Sequence, residues 1–345
     1  MTSHRRSSGR PTLDEVAARA GVGRGTVSRV VNGSPQVSAE ARAAVEKAIA
    51  ELGYVPNRAA RALVTQRTDA VALVVSEPDD RVFGEPFFAG IVRGISAVLN
   101  ESPLHLWLAM ASSTAERRRV EHHLTGQHVD GVLLLSGHGG DTLPDLLAER
   151  GLPTVLGGRP LASNAAGSAS FVDVDNVGGA RLAVSHLAAL GRRTIATIAG
   201  PLDMRAGVDR LTGYREALRA ANLPGDDRLV VAGDFGEESG ARAMGTLLDR
   251  VPDLDAVFVA SDLMAAGALR VLRSRGRRVP QDVAVVGFDD STVARHTDPP
   301  LTTVHQPVEE MGRRMARLLL ARIAGDPDAR SEVVLDTHLV VRASA

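Results

Sequence analysis

The chain has 345 residues, of which 44 % are hydrophobic and 23 % are charged. These are ordinary values for a globular protein, and the length allows two or three domains with large cores. The sequence has no cysteine, which excludes disulfides, zinc sites built from thiolates and thiol nucleophiles. No stretch resembles a secretory signal or an apolar membrane span, so we expect a cytoplasmic protein without membrane contact.

Positive charge is concentrated at the start of the chain. The formal net charge is −1, but residues 1–66 carry ten Lys and Arg against five Asp and Glu, whereas the rest carries 30 against 36. This split indicates a basic module attached to an acidic body. Within it, residues 1–10 form a basic tail that we expect to be disordered.

Three short helices are predicted in the basic module. Thr12 and Glu15 fit a capping box that starts the first helix. The stretch GVGRGTVSRVVNG at 21–33 gives a turn and then a second helix, whose polar side carries Arg, Thr, Ser and Asn but no acidic residue. Ser38 is the expected N-cap of a third helix that ends at Gly53. Two helices joined by a glycine-containing turn are typical of a helix-turn-helix.

After Thr68, apolar strands alternate with amphipathic helices. Continuous apolar strands separated by helices indicate parallel sheets that are covered on both faces. A stretch at 162–170, rich in Ala, Gly and Ser, separates two similar halves, so we predict two doubly wound subdomains with a ligand cleft at their strand ends. The predicted strands are AVALVV (70–75), LHLWLAM (104–110), GVLLLS (131–136), PTVLGG (153–158), FVDVD (171–175), TIATIAG (194–200), LVVAG (229–233), AVFVAS (256–261) and VAVVGFD (283–289).

Several motifs resemble those of one family. PTLDEVAARAGVGRGTVSRVVNG, followed by VSAEARAAVEKAIAELGYVPNRAARAL, resembles the DNA-binding headpiece and hinge of the lactose-repressor (LacI) family. Further along, VDNVGGARLAVSHLAALGRRTIATIAGP, VFVASDLMAAGAL, VAVVGFDD and DPPLTTVHQP resemble its effector-binding core. The resemblance covers about residues 11–342. It implies an all-α helix-turn-helix headpiece and an α/β, periplasmic-binding-protein-like core of two doubly wound parallel-sheet subdomains.

The resemblance also implies domain boundaries. The expected segments are a tail at 1–10, a helix-turn-helix domain at 11–56, a hinge at 57–67, a first core subdomain at 68–165 with 306–326, and a second at 166–305 with 327–345.

By the same resemblance, the second helix reads DNA in the major groove. Arg24, Gly25 and Arg29 match the family's base-reading positions, and Arg pairs well with guanine O6 and N7. Gly23 stands where the family usually has Ser, which weakens the helix N-cap. Because Gly25 offers no side chain, the two arginines supply most direct readout, and we expect a G·C-rich operator. The positions that match phosphate-backbone contacts are Thr12, Thr26, Ser28, Asn32 and Ser38.

The segment after the helix-turn-helix resembles the family's hinge helix, with Asn57, Arg58, Ala60 and Leu63 at the minor-groove positions. A short isolated helix is marginal, so the hinge should fold on the operator. The resemblance implies that Leu63 is a wedge that unstacks a base step and kinks the DNA. The alternative for Leu63 is packing against the core domain.

Four residues match positions that contact the effector in this family: Arg210, Phe235, Asp289 and Gln306. A guanidinium and a carboxylate can hold paired hydroxyls of a sugar, and an aromatic ring can stack on its apolar face. Ser261 stands where some sugar-responsive members carry Asn. A carbohydrate is the usual effector of this family, so the resemblance implies a mono- or oligosaccharide, although purine-type effectors remain open.

Each of these assignments has a plainer alternative. Phe87 and Phe88 match the cleft wall of the first subdomain, but core packing explains both rings equally well. Arg210 has the alternative of a surface ion pair on its helix. Asp289 has the alternative of a turn former at the end of a strand.

Other patterns carry no function. His122 and His123 are adjacent on a helix and point in different directions, so with His128 they do not predict a metal site. The GHGG at 137–140 departs from a dinucleotide-binding loop. We therefore expect neither a metal nor a cofactor.

The leading functional hypothesis is a repressor that binds a palindromic operator as a homodimer and responds to a small ligand. The resemblance implies release by the ligand as the commoner response, while a ligand that strengthens DNA binding also occurs in the family. The chain shows no C-terminal leucine-repeat helix like that of tetrameric family members, which favours the dimer. The alternatives are a sugar-binding protein that serves a transporter and an α/β enzyme. A sugar-binding protein of a transporter would have a signal peptide and no headpiece, and this sequence shows the reverse. For an α/β enzyme, we find no nucleophile motif and no acid–base pair.

Overall fold

The structure is a computed structural model that describes residues 11–55, 67–126, 128–161, 170–326 and 332–345. The chain divides into two compact units, Met1–Thr68 and Asp69–Ala345, which are taken separately below. The basic tail and the hinge residues Asn57, Arg58, Ala60 and Leu63 lie outside the described residues.

The first unit contains the three predicted helices, α1 (Leu13–Ala20), α2 (Arg24–Val31) and α3 (Ala39–Leu52). The capping box is confirmed: Thr12 Oγ1 accepts from the amide of Glu15 at 3.3 Å, and the Thr12 amide donates to Glu15 Oε2 at 2.8 Å. The two bonds satisfy backbone donors that a free helix start would leave unpaired.

One small core holds the three helices together. Val16 of α1, Val27 of α2 and Val45 of α3 are fully buried, and Tyr54 packs on the same cluster. Gly21 ends α1 with φ +67°, a left-handed conformation that glycine adopts without a steric cost. The turn brings α2 against the other two helices, as the predicted helix-turn-helix requires.

The described part of the second unit contains two sheets of six strands each. All strand pairs of the first sheet are parallel, in the order β11-β5-β4-β3-β1-β2. Its strands are β1 (Ala70–Val75), β2 (His105–Met110), β3 (Gly131–Leu135), β4 (Thr154–Gly157), β5 (Ser170–Val174) and β11 (Glu332–Leu335).

The second sheet has the order β12-β10-β9-β8-β6-β7, and only β12 runs antiparallel to its neighbour. Its strands are β6 (Ile195–Ala199), β7 (Val230–Ala232), β8 (Ala256–Val259), β9 (Ala284–Asp289), β10 (Thr302–His305) and β12 (His338–Val340). Parallel order and continuous burial agree with the sequence pattern.

Helices cover both faces of each sheet. The first sheet is covered by α4 (Asp79–Gly84), α5 (Pro86–Leu99), α6 (Thr114–Thr125), α7 (Leu143–Glu149) and α13 (Val308–Ile323). The second is covered by α8 (Asn176–Ala189), α9 (Arg205–Ala220), α10 (Glu237–Arg250), α11 (Asp262–Ser274) and α12 (Thr292–His296). Among the residues described, no helix is long and apolar enough to cross a membrane.

Two strands differ from the expected division into subdomains. The strands β5 and β11 were expected in the second subdomain, but they pair with each other and with β4 in the first sheet. A buried apolar run indicates that a strand is covered on both faces, but not which sheet it joins. The C-terminal segment VVLDTHLVV forms two strands, because the chain passes from the first sheet to the second at residues 336–337.

Candidate functional sites

The second helix presents its predicted base-reading side to solvent. Arg24, Gly25 and Arg29 are exposed, whereas Val27 and Val30 face the core. Arg24 Nη1 lies 3.6 Å from Asp14 Oδ2, but both side chains are more than half exposed, so this ion pair is weak. A short helix with free guanidinium groups on one side has the shape and charge that the major groove accepts.

The start of this helix is weakly capped, as the sequence indicates. Gly23 occupies the N-cap and provides no side-chain hydrogen bond. Its backbone carbonyl accepts from the amides of Thr26 at 2.8 Å and Val27 at 3.2 Å. A β-carbon on Gly23 or on Gly25 would meet no atom within 4 Å. Both glycines are therefore free of packing constraints within this unit.

The predicted phosphate contacts also have local roles. The hydroxyls of Thr12 and Ser38 cap α1 and α3, Ser38 by accepting from the Ala41 amide at 3.2 Å. Asn32 Nδ2 donates to Ser28 Oγ at 3.4 Å, while Thr26 is half-buried. Helix N-termini offer unpaired amides to anions. These five DNA contacts stay predictions.

In the second unit, a cavity of about 510 Å³ lies between the two subdomains. Helices α4 and α5 form one wall, and the ends of β9 and β10 form the other, where doubly wound folds bind ligands. All seven predicted effector residues line it: Phe87, Phe88, Arg210, Phe235, Ser261, Asp289 and Gln306.

Arg210 is the most fully bonded side chain of the cleft. Its Nε donates to Asn176 Oδ1 at 2.9 Å, its Nη1 to the Ala260 carbonyl at 2.6 Å, and its Nη2 to Gln306 Oε1 at 3.0 Å. The guanidinium carbon lies 3.7 Å from the ring centroid of Phe288. Arg210 is only 5 % exposed, which excludes the alternative of a surface ion pair.

Asp289 supplies the carboxylate of the same wall. Its Oδ1 lies 3.5 Å from Arg210 Nη1, and burial raises the pKa of Asp289 well above its usual value although the guanidinium lowers it. The residue ends β9 with φ +118°, a conformation that side-chain-bearing residues rarely adopt. Both the binding role and the alternative as a strand terminator therefore fit the geometry.

Phe235 is held in position by its backbone. It adopts φ +71°, and Ser261 Oγ donates to its carbonyl at 2.9 Å. The same hydroxyl accepts from the Met264 amide at 3.2 Å and so caps α11. Gly200 abuts the ring, since a β-carbon there would lie 2.3 Å from Phe235 Cζ. Ser261 thus positions Phe235, and its contact with an effector stays a prediction.

Phe87 and Phe88 fit both of their alternatives. Their rings form an edge-to-face pair with centroids 5.3 Å apart. Phe88 is buried in the core beneath α5, Phe87 packs on its margin, and both line the cavity. The two rings therefore join the hydrophobic core to the cleft wall.

Several charged residues that line the cleft were not predicted from sequence, among them Arg81 and Glu85. Arg81 Nη1 lies 2.8 Å from Glu77 Oε2, and Arg81 Nε lies 2.5 Å from Glu85 Oε1. Burial raises the pKa of Glu85, while Arg81 lowers it. The three residues are spaced four apart, but such spacing indicates a shared helix face only where a helix is itself predicted. Within this trio, Arg81 and Glu85 line the cavity.

Polar contacts also join the two subdomains beside the cavity. His138 Nε2 lies 3.2 Å from Glu77 Oε1 on its own subdomain, and Nδ1 lies 2.9 Å from Asp203 Oδ2 on the other. Hydrogen bonding to Glu77 and Asp203 raises the pKa of His138 to about 9. A second link runs from Arg159 Nη2 to Asp209 Oδ2 at 2.6 Å. The subdomains are thus held together by charged side chains.

The histidines considered for a metal form aromatic contacts instead. The ring of His123 stacks on Trp107 with centroids 4.2 Å apart and on His128 at 4.7 Å. Burial lowers the pKa of His123, which favours its neutral form. Across the described ranges, no group of three His, Cys, Asp or Glu residues is placed to hold a metal ion.

Together, these features define a helix-turn-helix regulator whose second unit has the two-sheet architecture of binding proteins. Residues 12–57 match the family described as bacterial regulatory proteins, lacI family, and residues 184–345 match a periplasmic binding protein-like domain.

Relatives match over nearly the whole chain. It is 61 % identical to the transcriptional regulator CelR of Thermobifida fusca, over 97 % of this chain and 98 % of that one. It is 34 % identical to the transcriptional repressor CytR of Escherichia coli strain K12, over 96 % of each. The chain belongs to the LacI family and is a DNA-binding transcriptional regulator, not an enzyme.

Solved structures agree with this assignment. A CelR–cellobiose complex is 59 % identical, with a TM-score of 0.79 over 97 % of this chain and 100 % of that one. The lac repressor dimer bound to operator and the anti-inducer ONPF is 29 % identical, with a TM-score of 0.85 over 97 % and 99 %. The predicted fold class is confirmed.

Proposed function

We propose that this protein represses transcription by binding a palindromic operator as a homodimer, and that a sugar in the cleft releases it. The exposed arginine-bearing face of α2 supports the DNA-binding part. Two copies of such a helix read two half-sites that are related by the symmetry of the dimer. The homodimer rests on the family resemblance and on the operator-bound lac repressor dimer as a similar structure.

The single observation that carries the sugar proposal is the wall built by Arg210, Asp289 and Phe235. Arg210 and Asp289 offer a donor and an acceptor 3.5 Å apart, and the Phe235 ring lies beside them with its centroid 5.5 Å from the guanidinium carbon. Adjacent hydroxyls of a sugar bind such a charged pair, and the apolar face of a pyranose ring stacks on an aromatic side chain.

Similarity favours a β-linked glucose disaccharide over a purine-type ligand. The relative whose structure holds cellobiose is 59 % identical to this chain, whereas CytR and PurR relatives are 33–34 % identical. The cavity of about 510 Å³ is in the range of pockets that enclose molecules larger than a single hexose. Cellobiose is therefore the effector that we propose for this protein.

The mechanism is reciprocal coupling between the two sites. A ligand that contacts both walls favours the closed cleft, and closure shifts the first subdomains of the dimer against each other. The hinges then separate, and the two copies of Leu63 no longer meet at the operator centre. The sugar can weaken DNA binding only by as much as its own affinity differs between the two conformations.

Fluorescence anisotropy tests this function. An operator selected from random DNA is labelled and titrated with the protein, with and without cellobiose, and hypoxanthine serves as the purine control. We expect tight binding that cellobiose weakens and hypoxanthine does not. Release by hypoxanthine alone would contradict the sugar assignment. Light scattering checks the dimer, and a stable tetramer would overturn it.

A further inference from the structure

The cleft wall of the first subdomain carries a charged trio that its fold does not require. Arg81, at 17 % side-chain exposure, is held between Glu77 at 4 % and Glu85 at 12 %. The free energy lost by removing charged groups from water offsets much of the attraction between them. Apolar side chains of similar size often stabilise a fold equally well. Glu77 is also paired with His138 at 3.2 Å, whereas Glu85 pairs with Arg81 and lines the cavity. A ligand with hydroxyl donors can therefore reach the carboxylate of Glu85.

Arg81 and Glu85 line the same cavity as the proposed binding wall of Arg210, Asp289 and Phe235. The guanidinium carbon of Arg81 lies 5.6 Å from the ring centroid of Phe235, and that of Arg210 lies 5.5 Å from the same centroid. Phe235 belongs to the second subdomain, whereas Arg81 and Glu85 belong to the first. The ring therefore has an Arg–carboxylate pair near it from each subdomain, Arg81 with Glu85 and Arg210 with Asp289.

The second wall of the cavity offers a further polar side chain. Ser291 lines the same cavity as Glu85 and Asp289. Its hydroxyl lies beside the buried carboxylate of Asp262, whose pKa burial raises and this hydroxyl lowers. The cavity thus offers polar groups on both walls, more than one sugar ring can engage.

We propose that Arg81 and Glu85 form a second hydroxyl-binding pair, which holds the second ring of a disaccharide whose first ring binds Arg210, Asp289 and Phe235. This inference rests on the proposed function, since it assumes a sugar effector. Glu85 accepts hydrogen bonds from ring hydroxyls, and Arg81 donates to a hydroxyl or to the glycosidic oxygen. A disaccharide then bridges the two subdomains, and a monosaccharide contacts only one. Arg81 and Glu85 accordingly determine which sugar length closes the cleft.

The test is the substitution Glu85→Gln in the full chain, which keeps the shape of the side chain and removes its charge. Isothermal titration with cellobiose should show affinity weakened roughly ten- to hundredfold, the usual loss for a hydrogen bond to a charged group. Glu149→Gln is the matched control, because Glu149 is exposed on α7 of the same subdomain and does not line the cavity. It should bind cellobiose as the wild type does.

Two further measurements separate ligand contact from a change in the fold. The operator affinity without sugar and the melting temperature should stay close to wild type in Glu85→Gln. Glucose, titrated in competition with cellobiose, should show the same inhibition constant in the wild type and in Glu85→Gln. A single sugar ring fills only the position formed by Arg210, Asp289 and Phe235.

Three results would overturn the proposal. Unchanged cellobiose affinity in Glu85→Gln, with a responsive wild type, refutes the second hydroxyl-binding pair. An equal loss for glucose refutes its assignment to the second ring. A wild-type protein that binds no cellobiose refutes the proposed effector and this inference with it.

Discussion

The guanidinium carbon of Arg210 lies 3.7 Å from the ring centroid of Phe288, so the cation sits over the face of a fully buried aromatic ring. This contact compensates part of the cost of burying a charge, and burial itself lowers the pKa of Arg210. The remaining compensation comes from the planar fork of three donated hydrogen bonds. Arg210 therefore presents a fixed charge at the cleft, in place before any ligand arrives.

Arg210→Lys should strongly weaken the sugar response without weakening DNA binding. Lysine keeps the positive charge, but it cannot reproduce the planar set of three hydrogen bonds or the stacking on the Phe288 ring. We expect release of the operator to need roughly a hundredfold more cellobiose, measured by anisotropy. Arg219→Lys, an exposed residue of the same helix α9, is the control. Release of Arg210→Lys at the wild-type sugar concentration would contradict the assignment.

His138 should make stability depend on pH. Its pKa is raised from the ordinary 6.5 to about 9 by Glu77 and Asp203. A raised pKa means that protonation favours the folded state, so this contribution is complete below pH 6.5 and is lost as the pH rises through about 9. Arg81 Nη1 also contacts Glu77, at 2.8 Å.

The measurement is the melting temperature of the wild type and of His138→Gln between pH 6 and 10. The difference between the two proteins should be largest near neutral pH and should shrink as the pH rises through about 9. His296→Gln, on the exposed helix α12, should follow the wild type throughout. Curves for wild type and His138→Gln that stay parallel would show that protonation of His138 does not stabilise the folded state.

Most of the fold could be predicted from sequence because its signals are local. The Thr12 capping box, the glycine ends of α1 and α3, and the apolar strand runs all depend on neighbours within a few residues. The seven effector residues came from resemblance and not from local chemistry. The structure brings all seven to one cavity although they are spread from Phe87 to Gln306.

What could not be predicted depends on long-range contacts. His138 and Asp203 are 65 residues apart, and no periodicity relates them. Helix α4 has six residues and no side-chain cap, so its pattern was too short to indicate a helix. Without that helix, Glu77, Arg81 and Glu85 read as an ordinary charged loop. The sheet to which β5 belongs was likewise set by pairing rather than by its own sequence.

Gly94→Ala should destabilise the second unit strongly. A β-carbon on Gly94 would lie 2.1 Å from the Glu309 carbonyl oxygen, because α5 and α13 pack with their backbones almost in contact there. Helices cannot separate without opening the core on both sides, so we expect a loss of about 2–4 kcal/mol in the free energy of unfolding. Urea unfolding followed by circular dichroism measures it.

Gly245→Ala provides the matched control for this prediction. Gly245 also lies within a helix, α10, but a β-carbon there would meet no atom within 4 Å. Alanine favours helix more than glycine does, so this change should stabilise the unit by about 0.5–1 kcal/mol. Equal effects of the two substitutions would show that the close approach of α5 and α13 carries no energetic weight.

Arg24 and Arg29 should set the operator sequence. Both side chains are exposed on α2, and Gly25 between them offers no competing contact. Since arginine pairs with guanine O6 and N7, selection from random DNA should return G·C pairs in each half-site.

Arg29→Ala should weaken operator binding by about 1–3 kcal/mol and relax the preference at one position of each half-site. Arg19→Ala, whose exposed guanidinium pairs with Glu51 on α3, should change neither. Selection of A·T-rich half-sites by the wild type would show that these arginines contact the backbone rather than the bases.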